Sequence, residues 1–161
     1  MNQIDKFFTE DIEQFSKSYF DYLTEVFDKI DLTEINKFVE LLLEARESGA
    51  TIFFMGNGGS AATASHFAND LAFGTNDYKK PFKVMSITDN VSVLTALGND
   101  YGYNEIFIRQ LKIYGEKGDV VVGISASGNS QNVINAFEYA STAGIKTFAL
   151  TAFDGGKMRK I

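Results

Sequence analysis

Four short runs of apolar, β-branched and aromatic residues do most to limit the folds open to this chain: TIFFM (51–55), FKVMSI (82–87), DVVVGI (119–124) and KTFALT (146–151). Between them lie stretches with helical periodicity, at 60–74, at about 90–116 with a break near Gly98, and at 130–143. Apolar strands separated by helices belong to a parallel sheet with both faces covered. The expected fold is therefore α/β, a three-layer α/β/α sandwich around a parallel sheet. At 161 residues the chain is one domain's worth, long enough to bury a core without disulfide or metal staples.

Two helices are expected ahead of the sheet, over residues 1–49, with the α/β core over 50–161. Ile4, Phe8, Ile12, Phe15, Tyr19, Tyr22, Val26 and Ile30 recur at spacings of three and four, the mark of one apolar helix face. Asp31-Leu32-Thr33-Glu34 reads as a capping box opening a second helix, with Ile35, Phe38, Leu42 and Leu43 on its buried side and Gly49 at its end. A long amphipathic helix fits poorly on so small a sheet, and packing against another subunit is the expectation.

Composition excludes several functions. The net charge of −6, without a sustained Lys/Arg run, argues against nucleic acid as a partner, because that affinity comes largely from neutralised phosphates. An anionic small ligand stays open, since helix N-termini bind phosphate whatever the global charge. There is no cysteine, so disulfides, thiolate zinc sites and a Cys nucleophile are out. The acidic N-terminal stretch lacks the basic and apolar regions of a signal peptide, and no apolar run nears the roughly 18 residues of a membrane span. A soluble, cytoplasmic protein with no membrane partner is expected.

The chemistry-bearing residues gather after two of the strands. A strand, a Gly/Ser loop and a helix follow one another twice, as IFFMGNGGSAAT and VVVGISASGNSQNV. Both loops fall at carboxyl ends of parallel strands, the edge where open α/β sheets hold ligands. In the second, Ser125, Ser127 and Ser130 place three hydroxyls beside a helix start, with Gly128 for a tight turn: a phosphate cradle. Plain turn and capping preferences would favour the same residues.

The first loop, Gly56 to Ser60, formally meets the G-x-G-x-x-G/A pattern, but the ribose-binding acid of a dinucleotide site has no match. Asp77 has the spacing and lies in a loop, whereas Asp89 ends a strand but comes too late. No G-K-[ST] follows, which excludes a Walker A loop. His66, the only histidine, stands four residues before Asp70 on one helix face. The pair can abstract a proton beside a carbonyl, can ligate a metal, or can simply be a packed histidine next to a solvated carboxylate. GNDYGYNE (98–105) reads as a turn between helices.

Taken together, GNGGSAATASHFANDL, GNDYGYNEIFIRQL, GDVVVGISASGNSQNVINAF and LTAFDGGKM resemble the SIS (sugar isomerase) family, and within it the bacterial phosphoheptose isomerases. The resemblance runs from about residue 50 to 158, in order, and the two leading helices also fit it. It implies a flavodoxin-like sheet and an aldose–ketose isomerase acting on sedoheptulose 7-phosphate, for heptose units of surface glycans. It also implies a homotetramer with sites between subunits, and often zinc. By motif, Asn57, Gly58 and Ser60 would touch the sugar phosphate, with Ser125, Ala126, Ser127 and Ser130 around the phosphate. His66 and Asp70 would ligate metal, and Asp70 would be the catalytic base.

This chain departs from the family pattern at several positions. Asp70 stands where these enzymes place Glu, and Ala126 where they usually place Thr. Asn90, assigned to substrate binding, falls where relatives carry an acid, beside Asp89. After DGGKMRK the relatives continue with a strand and a helix that bring a Gln and a His to the metal. The resemblance therefore carries a second expectation: a non-catalytic SIS module that binds a sugar phosphate or a protein partner, as relatives bound to replication-initiation machinery do.

Overall fold

In a computed structural model describing residues 4–161, four strands form one parallel sheet: β1 (Thr51–Gly56), β2 (Lys83–Ser86), β3 (Val120–Ser125) and β4 (Lys146–Thr151). Their spatial order is β2-β1-β3-β4. The helices are α1 (Ile12–Phe27), α2 (Leu32–Ser48), α3 (Gly59–Asn69), α4 (Val91–Tyr101), α5 (Ile108–Tyr114) and α6 (Gln131–Ala143). The chain divides into two compact units, Met1–Lys37 and Phe38–Ile161, so the second half of α2 belongs with the sheet.

The period of a strand explains why the central runs are apolar throughout. Ile52 and Phe54 of β1, with Val120 and Val122 of β3, face one side and pack with Leu42 and Ala45 of α2 and Ala64 of α3. Their sequence neighbours Phe53, Met55 and Val121 face the other side, against Leu111 of α5 and Val133 and Phe137 of α6. Each of these strand residues is at most 1% exposed, and burying one such side chain is worth about 1.5–3 kcal/mol. Both faces are covered, as a three-layer sandwich requires.

Four local expectations are corrected. The leading helical pattern is not continuous: Ile4–Lys6 is a short 3-10 turn, and α1 begins only after Asp11, whose Oδ1 accepts from the N–H groups of Glu13 and Gln14. On α2, Leu42 is buried but Ile35 and Leu43 are 47% and 45% exposed, because the buried stripe runs through Phe38, Leu41, Leu42 and Ala45. The break expected near Gly98 falls at Gly102, whose N–H closes on the Gly98 carbonyl at 3.1 Å. The capping box is half formed. Asp31 accepts from the Thr33 N–H at 2.9 Å, while Glu34 pairs with Lys37.

No helix among the described residues is long and apolar enough to cross a membrane.

Candidate functional site

The strand order sets where a ligand can sit. From β1 the chain goes to β2 on one side and then returns to place β3 on the other, so the crevice beyond β1 and β3 is the switch point of the sheet. The glycine loop leaves β1 at this crevice and the serine loop leaves β3. Gly56 is needed for the first turn: a Cβ there would lie 2.8 Å from the Ser60 backbone, which folds back over it. That turn sets Asn57 half-buried at the crevice, Gly58 exposed just before α3, and Ser60 in the first turn of α3.

In the serine loop, Ser125 is buried and its Oγ lies 3.0 Å from the Ser130 Oγ. Ser130 occupies the N-cap position of α6, yet its hydroxyl caps nothing. α3 likewise starts at Gly58 with no side-chain cap. By contrast Asp11 caps α1, and Asn90 caps α4 by accepting from the Val93 N–H at 3.1 Å. In both helices that open at the crevice the N-cap residue caps no first-turn donor, though in α6 the Val133 N–H meets Asn132 Oδ1 at 3.0 Å, and these ends carry the positive end of the helix dipole. Anion binding is what such ends do.

Ser127 Oγ accepts from the Asn129 N–H at 3.2 Å, and Ala126 and Ser127 are both exposed. The Ala126 carbonyl takes the Ala152 N–H, which ties the loop to the end of β4. Lys157, Arg159 and Lys160 line a depression of about 570 Å³ shared with Asn129 and Asp154, three cations against one carboxylate. Their charge favours an anion beside the serine loop in a chain that is acidic as a whole.

His66 and Asp70 come together as expected, with Nε2 and Oδ2 3.1 Å apart, and both are well exposed, at 77% and 59%. They line a depression of about 430 Å³ with Ala62, Thr63 and Phe67. At Asp70 the α-helix gives way to a π-helical turn, Asp70–Gly74, the kind of irregularity that often re-aims side chains at functional sites. Asp89 accepts from the hydroxyls of Ser86, Thr88 and Ser65 on one oxygen. Asn90 commits its Oδ1 to the α4 cap, and its side-chain amide hydrogens take no part in that bond.

The resemblance implies zinc, and the donor set can be tested against it. A catalytic zinc takes three protein ligands and keeps one open position. Among the described residues no group of three or more His, Cys, Asp or Glu side chains is gathered to hold a metal. His66 and Asp70 are two donors, one short of that set.

Two residues escaped the reading of the sequence. Asn132 of α6 is buried and its amide pairs reciprocally with that of Asn57, both contacts at 2.9 Å; Tyr103 donates to Asn57 Oδ1 at 2.9 Å. Asn132 left one usable signal: a polar residue of poor helix propensity set directly before the buried Val133 and Ile134.

Comparison with known proteins places the chain in a family and a fold. The SIS domain model matches residues 15–152. The chain is 46% identical over 123 residues to a phosphoheptose isomerase of Helicobacter pylori, covering 76% of this chain and 64% of that protein. It is 44% identical over 127 residues to one from Aliarcobacter butzleri, covering 79% and 67%. The chain thus spans just under two thirds of the length of the Helicobacter relatives it matches. Among solved structures, a phosphoheptose isomerase from Neisseria gonorrhoeae superposes with a TM-score of 0.83 at 36% identity, over 92% of this chain and 79% of that one. One from Francisella tularensis gives 0.81 at 28%, over 99% and 81%. On the match across most of its length, the chain belongs to the SIS domain family.

Proposed function

We propose that this chain binds a phosphorylated sugar at the β1/β3 crevice and acts in a phosphoheptose isomerase, interconverting sedoheptulose 7-phosphate and D-glycero-manno-heptose 7-phosphate. The observation that carries the reading is the pairing of two loop–helix units at one switch point, with neither N-cap residue, Gly58 or Ser130, capping its helix. The names of the relatives support the class of sugar.

In this reading Ser125, Ser127 and Ser130 and the first turn of α6 hold the phosphate, and Asn57, Gly58 and Ser60 meet the sugar body. Asp70 acts as base. Its carboxylate takes the proton from the carbon beside the carbonyl, the freed electron pair forms the C=C bond of an enediol, and the carbonyl oxygen gains a proton. Returning a proton to the former carbonyl carbon, with loss of one from the neighbouring hydroxyl, completes the isomerisation. His66, 3.1 Å from Asp70, orients that carboxylate.

The protein then works in the cytoplasm as a homo-oligomer, a tetramer on the family pattern. Ile12, Phe20 and Phe27 of α1, at 79%, 64% and 63% exposed, supply apolar surface for such contacts. A non-catalytic sugar-phosphate module is the second reading, favoured by the exposure of His66 and Asp70 and the lack of a third donor beside them among the described residues. One experiment separates the two: NMR of sedoheptulose 7-phosphate in D2O with this chain. Loss of the α-proton signal supports the isomerase. Ligand line broadening without exchange supports the binding module, and neither effect in a folded chain removes both.

A further inference from the structure

The Asn57–Asn132 pair carries more information than its distances. Asn57 Nδ2 donates to Asn132 Oδ1, and Asn132 Nδ2 donates to Asn57 Oδ1, each at 2.9 Å. Such a ring looks the same if oxygen and nitrogen are exchanged in both residues, so the pair alone leaves two orientations. A further contact removes one. The Val133 backbone N–H approaches the Asn132 side chain at 3.0 Å, and because a backbone N–H only donates, the atom it meets must be the oxygen.

With Asn132 fixed, Asn57 has only one orientation that completes the ring. The Tyr103 hydroxyl, 2.9 Å from Asn57 Oδ1, must then donate. Asn57 Oδ1 thus receives two hydrogen bonds, which fill its acceptor capacity, while Nδ2 keeps one hydrogen beyond the pair. The orientation descends from the backbone of α6 through Asn132 to the glycine loop, across the crevice.

We propose that Asn132 and Tyr103 are positioning residues that hold the Asn57 amide as a pure hydrogen-bond donor, its remaining N–H serving an acceptor oxygen of the bound phosphosugar. The inference rests on the phosphosugar reading above and adds a polarity to it: at Asn57 the site selects a lone pair and offers nothing to a hydroxyl hydrogen. Asn132 is 2% exposed and Tyr103 61%, so the two contributions can be altered separately. Tyr103→Phe deletes only the oxygen of an exposed ring. Asn132→Asp keeps the acceptor for Val133 but replaces the donor to Asn57 with a second acceptor.

The test is side-chain and backbone amide NMR of the 15N-labelled chain, titrated with inorganic phosphate and then with sedoheptulose 7-phosphate. The expected result is that the Ser127 and Ser130 backbone amides move with both ligands, while one proton of the Asn57 Nδ2 pair moves with the sugar phosphate and its twin stays. In Tyr103→Phe the sugar-phosphate dissociation constant rises about 3- to 10-fold, as for one lost hydrogen bond. Asn132→Asp weakens it further, and Tyr103→Phe decides the matter if Asn132→Asp fails to fold. Serine-loop shifts with both Asn57 protons unmoved, or an unchanged affinity in Tyr103→Phe, overturn the positioning role and leave the phosphosugar reading standing. No shift in either loop removes that reading, and the positioning role with it.

Discussion

A Cβ at Gly128 would stand 1.9 Å from the carbonyl oxygen of Gly155, so the serine loop and the DGGK segment touch backbone to backbone. The Met158 N–H donates to the Gly128 carbonyl at 3.0 Å, and the Lys157 N–H to Asn129 Oδ1 at 3.2 Å. Gly128 also has a φ of 62°, a conformation that side chains with a Cβ rarely adopt. Gly128→Ala therefore meets steric overlap and backbone strain at once. A destabilisation of about 3 kcal/mol is expected from the overlap alone, read as a fall in urea midpoint. Sugar-phosphate affinity falls with it, because the serine hydroxyls lose their support.

Much of this arrangement is legible in the sequence, for a physical reason. The runs at 51–55 and 119–124 are dense in β-branched and aromatic residues because both faces of β1 and β3 are buried, and with the half-buried run at 146–151 they locate three strands to within a residue or two. The glycine and serine loops stood out by position, at the carboxyl ends of two parallel strands, since turn and capping preferences alone collect the same residue types. Leu43 misled because a helix periodicity fixes a stripe only to within about one position, and Glu34 because Lys37 competes for its carboxylate. The Asn57–Asn132 pair joins residues far apart in the chain, and neither residue alone announces the other. Contacts of that kind exist only once the sheet has brought β1 and β3 together.

At the opposite, amino-terminal edge of the sheet, Asp119 joins the entrances of three strands. It is 6% exposed; Oδ1 accepts from the Thr51 N–H at 2.7 Å and Oδ2 from the Glu116 N–H at 2.8 Å. Its backbone carbonyl receives the Lys146 N–H at 2.8 Å. Asp119→Ala strips two backbone donors of their acceptor and is expected to cost about 2–4 kcal/mol in chemical denaturation. Phosphate-induced shifts at Ser127 and Ser130 persist in the folded variant, since the change lies at the far end of the strands. Loss of those shifts without loss of stability would contradict the structural role assigned to Asp119.

Zinc binding offers a check on the His66–Asp70 pair. Two exposed donors fall short of the ligand sets that give zinc apparent binding free energies of about 10–16 kcal/mol. The chain is expected to hold zinc more weakly than about 1 μM by competition with a chromophoric chelator. His66→Ala should remove most of the binding that remains, and Asp70→Asn should weaken it less. Tight binding at one ion per chain would mean that further donors are recruited, as from a second subunit.

Acid sensitivity follows from Asp77. The backbone N–H groups of Lys80 and Lys79 meet its Oδ1, and Arg46 pairs with its Oδ2; these contacts hold the carboxyl below its ordinary value of 3.8. Arg46 also donates to the Lys80 carbonyl at 2.7 Å and lies over the Phe82 ring at 5.1 Å, so the pair anchors the loop that leads into β2. Asp31 is lowered in the same sense, first by the Thr33 hydroxyl, then by the Thr33 N–H. A carboxyl depressed in the folded state makes the unfolded chain bind more protons around that pH. Its stabilisation is complete above the unfolded value and is lost as the pH falls towards the folded one. The urea midpoint is therefore expected to drop below about pH 4, and to drop less steeply in Asp77→Asn. Identical pH profiles for the two proteins would show that the Asp77–Arg46 anchor contributes nothing to acid stability.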